Sequence, residues 1–213
     1  MAANINETQR VIEYSRHIDT LGYLIRANQL TYDDYANPKF DKNGYYKIRQ
    51  LFFPPQSNEL VFLNTGAYDN LLTNMDAIPS KFDELVSELN IMYTLDKLAI
   101  DIANEDIGDF VKDIKAERRK NYPWHHLFLF QPNKNKGLID YMLNNFLYKN
   151  EVRDYWELSR AQLDLTLSYR NRAVRIYQEL ANLLNKSTVH DSFKVNPEVV
   201  NLISGTYKNV DGL

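Results

Sequence analysis

The chain has 213 residues, a formal net charge of −3 at pH 7, seven glycines, seven prolines and no cysteine. The absence of cysteine excludes disulfides, thiolate metal sites and a cysteine nucleophile, and an acidic balance with dispersed Lys and Arg leaves no phosphate-binding footprint for nucleic acid. So little Gly and Pro favours long helices over a turn-rich β fold, and the length suits one domain, residues 1–213, with ample chain for a core.

Residues 4–30 predict the first helix. Val11, Tyr14, Ile18, Leu21 and Ile25 step 3, 4, 3, 4 along it. Asn4 is placed to cap it, with Glu7 in the capping-box position three residues on. The opening MAANINETQR lacks the apolar run of a signal peptide, and no segment approaches the length of a membrane span. Residues 31–65 then change character. Tyr32, Tyr35, Tyr45, Tyr46, Phe52, Phe53 and Phe62 are interleaved with Pro38, Gly44, Pro54 and Pro55, which is turn chemistry. Within this stretch ELVFL reads either as a strand or as the lead-in to a helix. A connection this long is unusual in a compact domain and is often functional.

Residues 67–75 predict a short helix capped by Thr65 or Asn64. The DAIPS segment breaks it, and Ser80 is placed to cap a long helix reaching Lys120. Asp83 and Glu84 suit its first turn. Phe82, Leu85, Leu89, Met92, Leu95, Ala99 and Ile102 are its expected buried face, and Gly108 marks a place for a kink. Residues 121–137, NYPWHHLFLFQPNKNKG, form the second irregular stretch. Residues 138–148 start the next helix, which either joins its successor directly or bends around Lys149 and Asn150. Residues 151–186 carry the strongest helix signal. Glu151, Tyr155, Leu158, Gln162, Leu165, Tyr169, Ala173, Ile176, Leu180 and Leu183 form a near-heptad stripe with one stutter. Such a rod is about 54 Å long and needs partners along its length. Residues 187–213 read as a C-terminal extension.

Motifs that carry chemistry are missing. There is no P-loop, G-x-G-x-x-G, G-x-S-x-G, H-E-x-x-H or Glu-x-x-His. An enzyme is therefore disfavoured, and no cofactor or metal is expected. The adjacent pair His125 and His126 diverges on a helix or a strand, whereas a metal prefers i,i+4 spacing or separate elements. In RNRAVR, Arg172 falls closest to the stripe. It is the candidate anion site, the alternative being pairing with an acidic neighbour such as Glu179. Tyrosine is the outlier, at fifteen residues. If the two irregular stretches meet at one end of the helices, Tyr45, Tyr46, Phe52, Phe53, Tyr122, Trp124 and His125 share one cap. Their flat apolar faces and hydrogen-bonding edges suit a ligand or a partner's loop. The alternative is that these side chains only seal the end.

The run from 65 to 93, TGAYDNLLTNMDAIPSKFDELVSELNIMY, resembles an uncharacterised Bacteroidota family of single-span membrane proteins with a helical region after the span. Tyr68, Leu71, Ile78, Leu85 and Tyr93 are the matching positions, and YQELANLLNKS is similar to that family's final helix. The chain departs from the pattern in lacking the span and in its aromatic insert. The resemblance implies topology and an extracytoplasmic, membrane-anchored setting, with no catalytic residues.

Together these observations predict an all-α, elongated antiparallel bundle with two aromatic-rich irregular insertions. The expected role is a non-catalytic sensor or protein-interaction domain, the soluble part of a membrane-anchored bacterial protein. A cytosolic scaffold or regulatory protein, forming a homodimer through a helix face, is the alternative.

Overall fold

The computed structural model describes residues 1–12, 30–37, 60–127 and 134–184. Among them all regular structure is helical, and the fold is all-α. Helix α1 occupies residues 2–12, α2 Tyr32–Ala36 and α3 Gly66–Leu72, with a 3₁₀ turn at Met75–Ala77 and another at Ser80–Phe82. Helix α4 (Asp83–Ile91) passes through a π-turn (Met92–Asp96) into α5 (Lys97–Asn121). A 3₁₀ turn (Pro123–Leu127), α6 (Lys136–Asn144) and α7 (Phe146–Leu183) follow. Tyr14, Ile18, Leu21, Ile25, Tyr45, Tyr46, Phe52, Phe53 and the 187–213 extension lie outside the described residues.

Two compact units are present. Among the described residues, one holds Met1–Ile12, Val61–Asp101 and residues 163–184. The other holds residues 30–37, 60, 102–127 and 134–162. Helices α5 and α7 contribute to both.

In the first unit Ile5, Val11, Val61, Leu85, Met92, Ile100, Tyr169, Ala173, Val174 and Ile176 form the core. Each large apolar side chain withdrawn from water stabilises the fold by roughly 1.5–3 kcal/mol. Asn4 does not cap α1. The helix begins before it, and its amide is buried in this core. Asn4 Oδ1 accepts from the Asn64 backbone N–H at 2.9 Å, and Nδ2 donates to the Asn64 carbonyl at 3.0 Å and to the Tyr169 hydroxyl at 3.0 Å. The ELVFL segment is therefore a lead-in. Its chain is neither strand nor helix at residues 60–65, and Asn4 satisfies the backbone groups that a ladder would have paired. At the start of α3 the N-cap position is Thr65, and Asn64, one residue earlier, accepts at Oδ1 from Gly66 N–H at 2.9 Å. Thr65 makes no such bond to the backbone. Ser80 does not cap α4 either, since it lies within a 3₁₀ turn.

The π-turn changes which face of the long helix is buried. One extra residue in the turn rotates everything after it by roughly a quarter turn. Met92 and Tyr93 are consecutive and both buried, whereas Leu95 is 62% and Ile102 52% exposed, against expectation. The buried set after the turn is Ile100, Ala103, Ile107, Val111, Ile114 and Arg118, at steps of 3, 4, 4, 3 and 4. Gly108 produces no break, and α5 continues through it to Asn121. On α7, Tyr155, Gln162, Tyr169, Ala173 and Ile176 of the expected stripe are buried.

Candidate functional site

In the second unit the chain stops being helical at two places that face the same space. The first follows α5, where Pro123 removes a backbone donor and the chain takes a short 3₁₀ turn. The second is Asn145, whose extended backbone (φ −87°, ψ 122°) separates α6 from α7. The break falls there rather than at Lys149 and Asn150, which are helical. Asn145 serves as an anchor for both sides. Its Oδ1 accepts from Leu147 N–H at 2.9 Å, opening α7. Its Nδ2 donates to the Tyr122 hydroxyl at 3.2 Å.

Asn135 does the same at the other end of α6. Its Oδ1 caps the helix by accepting from Leu138 N–H at 3.1 Å, and its Nδ2 donates to the Trp124 carbonyl at 3.1 Å. Trp124 then lies directly on Gly137. A Cβ at that glycine would stand 2.7 Å from Trp124 Cδ1, so no larger residue leaves the indole where it is. Gly137→Ala is expected to push the ring aside at a cost of about 1–3 kcal/mol. A change in the near-ultraviolet circular dichroism of the indole with unchanged helix content would show it.

These contacts build an open groove of about 490 Å³ lined by Tyr122, Trp124, Gly137, Asp140, Tyr141, Asn144, Asn145 and Phe146. Its volume is in the range of small-ligand sites. Part of the lining is aromatic. Ring centroids are 5.3 Å apart for Tyr122 and Trp124, 5.1 Å for Trp124 and Tyr141, and 4.6 Å for Tyr122 and Tyr141. The lining also has polar groups, with Asn144 Nδ2 donating to Asp140 Oδ1 at 2.7 Å. Phe146 stands at the rim, 69% exposed.

The aromatic wall is braced from behind. The Tyr141 hydroxyl donates to Glu151 Oε1 at 2.8 Å, and the other carboxylate oxygen of Glu151 pairs with the fully buried Arg118. The Arg118 guanidinium in turn lies 5.3 Å from the Tyr141 ring centre and 5.7 Å from that of Tyr148. Tyr148 shares a hydrogen bond with Tyr35, which packs from α2 against α6. Burial pushes the Tyr35, Tyr141 and Tyr148 phenols up, and the Glu151 charge adds to the effect at Tyr141. These phenols stay protonated at neutral pH and act as hydrogen-bond donors, not as bases or nucleophiles.

Of the residues singled out in the sequence, Tyr122 and Trp124 line the groove. His125 sits behind Trp124, with ring centroids 6.3 Å apart. Burial and then the Arg119 and Arg118 charges push its pKa down, so its imidazole is neutral at pH 7. His126 donates from Nδ1 to the Pro123 carbonyl at 2.6 Å. Tyr45, Tyr46, Phe52 and Phe53 fall outside the described residues. In sequence Gly137 reads as the end of the irregular stretch, and Asp140, Tyr141, Asn144, Asn145 and Phe146 only as the start of a helix. The Asn144–Asn145 pair, a poor helix interior, is the signal that marks the break. Among the described residues no three His, Asp or Glu side chains converge as a metal site.

Arg172 belongs to the first unit. Its Nε donates to Asp96 Oδ2 at 2.8 Å and its Nη1 to Glu88 Oε2 at 3.0 Å, so its anionic partners are these two carboxylates and not Glu179. Arg175 also binds Glu88 Oε2, at 2.5 Å. The hydrogen bond from Arg175 acts most strongly on the Glu88 carboxyl; burial opposes it, and with the added bond and charge of Arg172 the carboxyl is held below its ordinary range. The unfolded chain therefore takes up this proton at higher pH than the folded one. The contribution of the cluster to stability is present above the ordinary Glu pKa and is lost as pH falls through the folded value. A carbon-detected titration of Glu88 should give a midpoint below the ordinary one that returns toward it in Arg175→Ala. An unchanged midpoint in that variant would remove Arg175 as the cause.

No protein-family model, curated protein or solved structure matches the chain.

Proposed function

We propose that the chain is a non-catalytic binding domain whose ligand seats in the groove between Trp124 and Asn144. The observation that carries this reading is one groove lined both by the rings of Tyr122, Trp124 and Tyr141 and by the polar side chains of Asp140, Asn144 and Asn145. A sugar ring matches that combination. Its C–H face lies on an indole or phenol, and its hydroxyls bond to carboxylate and amide groups. The phenols held protonated behind the wall give rigidity without supplying a base. Two amide anchors, Asn135 and Asn145, fix the wall before any ligand arrives, which reduces the ordering cost of binding. The setting we propose is the extracytoplasmic part of a membrane-anchored bacterial sensor. It rests on the resemblance at residues 65–93, and the sequence of the full-length gene product tests it. A gene product with no hydrophobic span would remove the anchor.

The groove is tested by fluorescence. Trp156→Phe leaves Trp124 as the only indole, and its emission should change saturably with a mono- or oligosaccharide from a mixed panel. Trp124→Ala should weaken binding by about thirty-fold or more, as for a central aromatic contact, while helix content is retained. A large loss of melting temperature, with no saccharide changing the emission of the parent, would mean that the rings only seal the helix ends.

A further inference from the structure

Among the described residues, the buried Arg118 and the partly buried Arg172 are paired with carboxylates, and the buried Arg170 is not. Arg118 has Glu151. Arg172, on the same helix as Arg170, has Asp96 and Glu88. Arg170 is only 6% exposed, and its Nε has no hydrogen-bond partner among the described residues. The carboxylates of Glu88 and Asp96 are taken by Arg172 and Arg175. The helix positions around Arg170 face inward: Thr166 one turn before it is fully buried, as are Ala173 and Val174 one turn after it. A guanidinium does not escape by losing its proton in the accessible pH range. Burial still pulls the pKa of Arg170 down, with no opposing charge to raise it. A charge held inside a fold without a partner is costly, and such charges ordinarily pair or bind an ion.

We propose that Arg170 is the floor of a buried oxyanion site, which takes the carboxylate or phosphate group of a small ligand. The site shares no residue with the Trp124 groove, and the guanidinium supplies parallel N–H donors matched to two oxygens of one anion. Thr166 lies on the turn toward which the arginine side chain leans. Among the described residues no carboxylate pairs with Arg170 and its Nε has no acceptor, so a bound anion adds stability.

The test uses the full chain with nitrogen-15-labelled arginine, the Arg170 Nε–H resonance being assigned by its loss in Arg170→Lys. Inorganic phosphate and acetate are titrated separately, with ionic strength held constant by chloride. The expected result is a saturable shift of that resonance. A rise in Tm of roughly 5–10 °C should accompany it at an anion concentration a hundred times the dissociation constant. Response to phosphate alone assigns a phosphate site, and response to acetate alone a carboxylate site. Arg170→Met should abolish the Tm response and melt above the parent in chloride, because the buried charge is gone. Trp124→Ala should keep the response, which separates this site from the groove. No saturable shift with either anion overturns the proposal, as does a Tm rise that persists in Arg170→Met. If Arg170→Met does not fold, the parent titration decides alone.

Discussion

Glu151→Ala is expected to destabilise the protein by about 3–5 kcal/mol, the cost of leaving a buried charge without its partner, and to lower Tm by roughly 10 °C or more. Arg118 is 1% exposed and its Nε is already without a hydrogen bond. Removing Glu151 takes its ion pair and at the same time strands the Tyr141 hydroxyl. The two rings beside Arg118 do not replace a carboxylate, since a cation–ring contact contributes only about 0.5–2 kcal/mol. The double variant Arg118→Met/Glu151→Leu should recover most of the loss, because it removes the charge along with its partner. Urea melts of the two single variants and the double measure the coupling. If the double is as unstable as the sum of the singles, the pair is not acting as a unit. Groove geometry should follow stability here, because Tyr141 belongs to both the wall and the network.

Asn4→Ala should cost about 1–3 kcal/mol for the stranded Asn64 N–H alone, with more from the lost Asn64 carbonyl and Tyr169 contacts. One amide serves all three groups, and Ala173 and Ile176 nearby in the core offer no donor or acceptor in their side chains. Amide exchange at Asn64 reads the effect directly. It should rise steeply in Asn4→Ala. It should rise much less in Asn4→Asp, which keeps the acceptor for the N–H. Equal exchange rates in both variants would mean that the side chain matters only by its volume. The Tyr93 and Tyr68 rings, stacked 4.6 Å apart in the same core, are expected to keep their packing in Asn4→Asp.

Helix content was legible in the sequence because it depends on local properties. Few glycines and prolines and a stripe of apolar residues every three or four positions act within one element, and α7 follows that stripe through Tyr155, Tyr169, Ala173 and Ile176. Tyr122 and Trp124 were also legible, as aromatics flanking Pro123, where a helix must stop. Other features depend on what the chain meets across space. Asn4 has the spacing of a cap, yet the hydrogen-bonding groups of Asn64, sixty residues away, make it a core residue instead. The π-turn at Met92–Asp96 lets Met92 and Tyr93 both turn inward, and a strict heptad reading carries Leu95 and Ile102 to the wrong side. Gly137 reads in sequence as the end of an irregular stretch, and only the indole lying on it makes its missing Cβ a requirement. The sequence by itself determined an all-α chain, because periodicity and propensity are local. The tertiary structure alone decided which polar groups found partners, because a buried charge or amide is satisfied by atoms that sequence distance does not reveal. That is why, among the described residues, Arg118 and Arg172 are paired and the Nε of Arg170 has no partner.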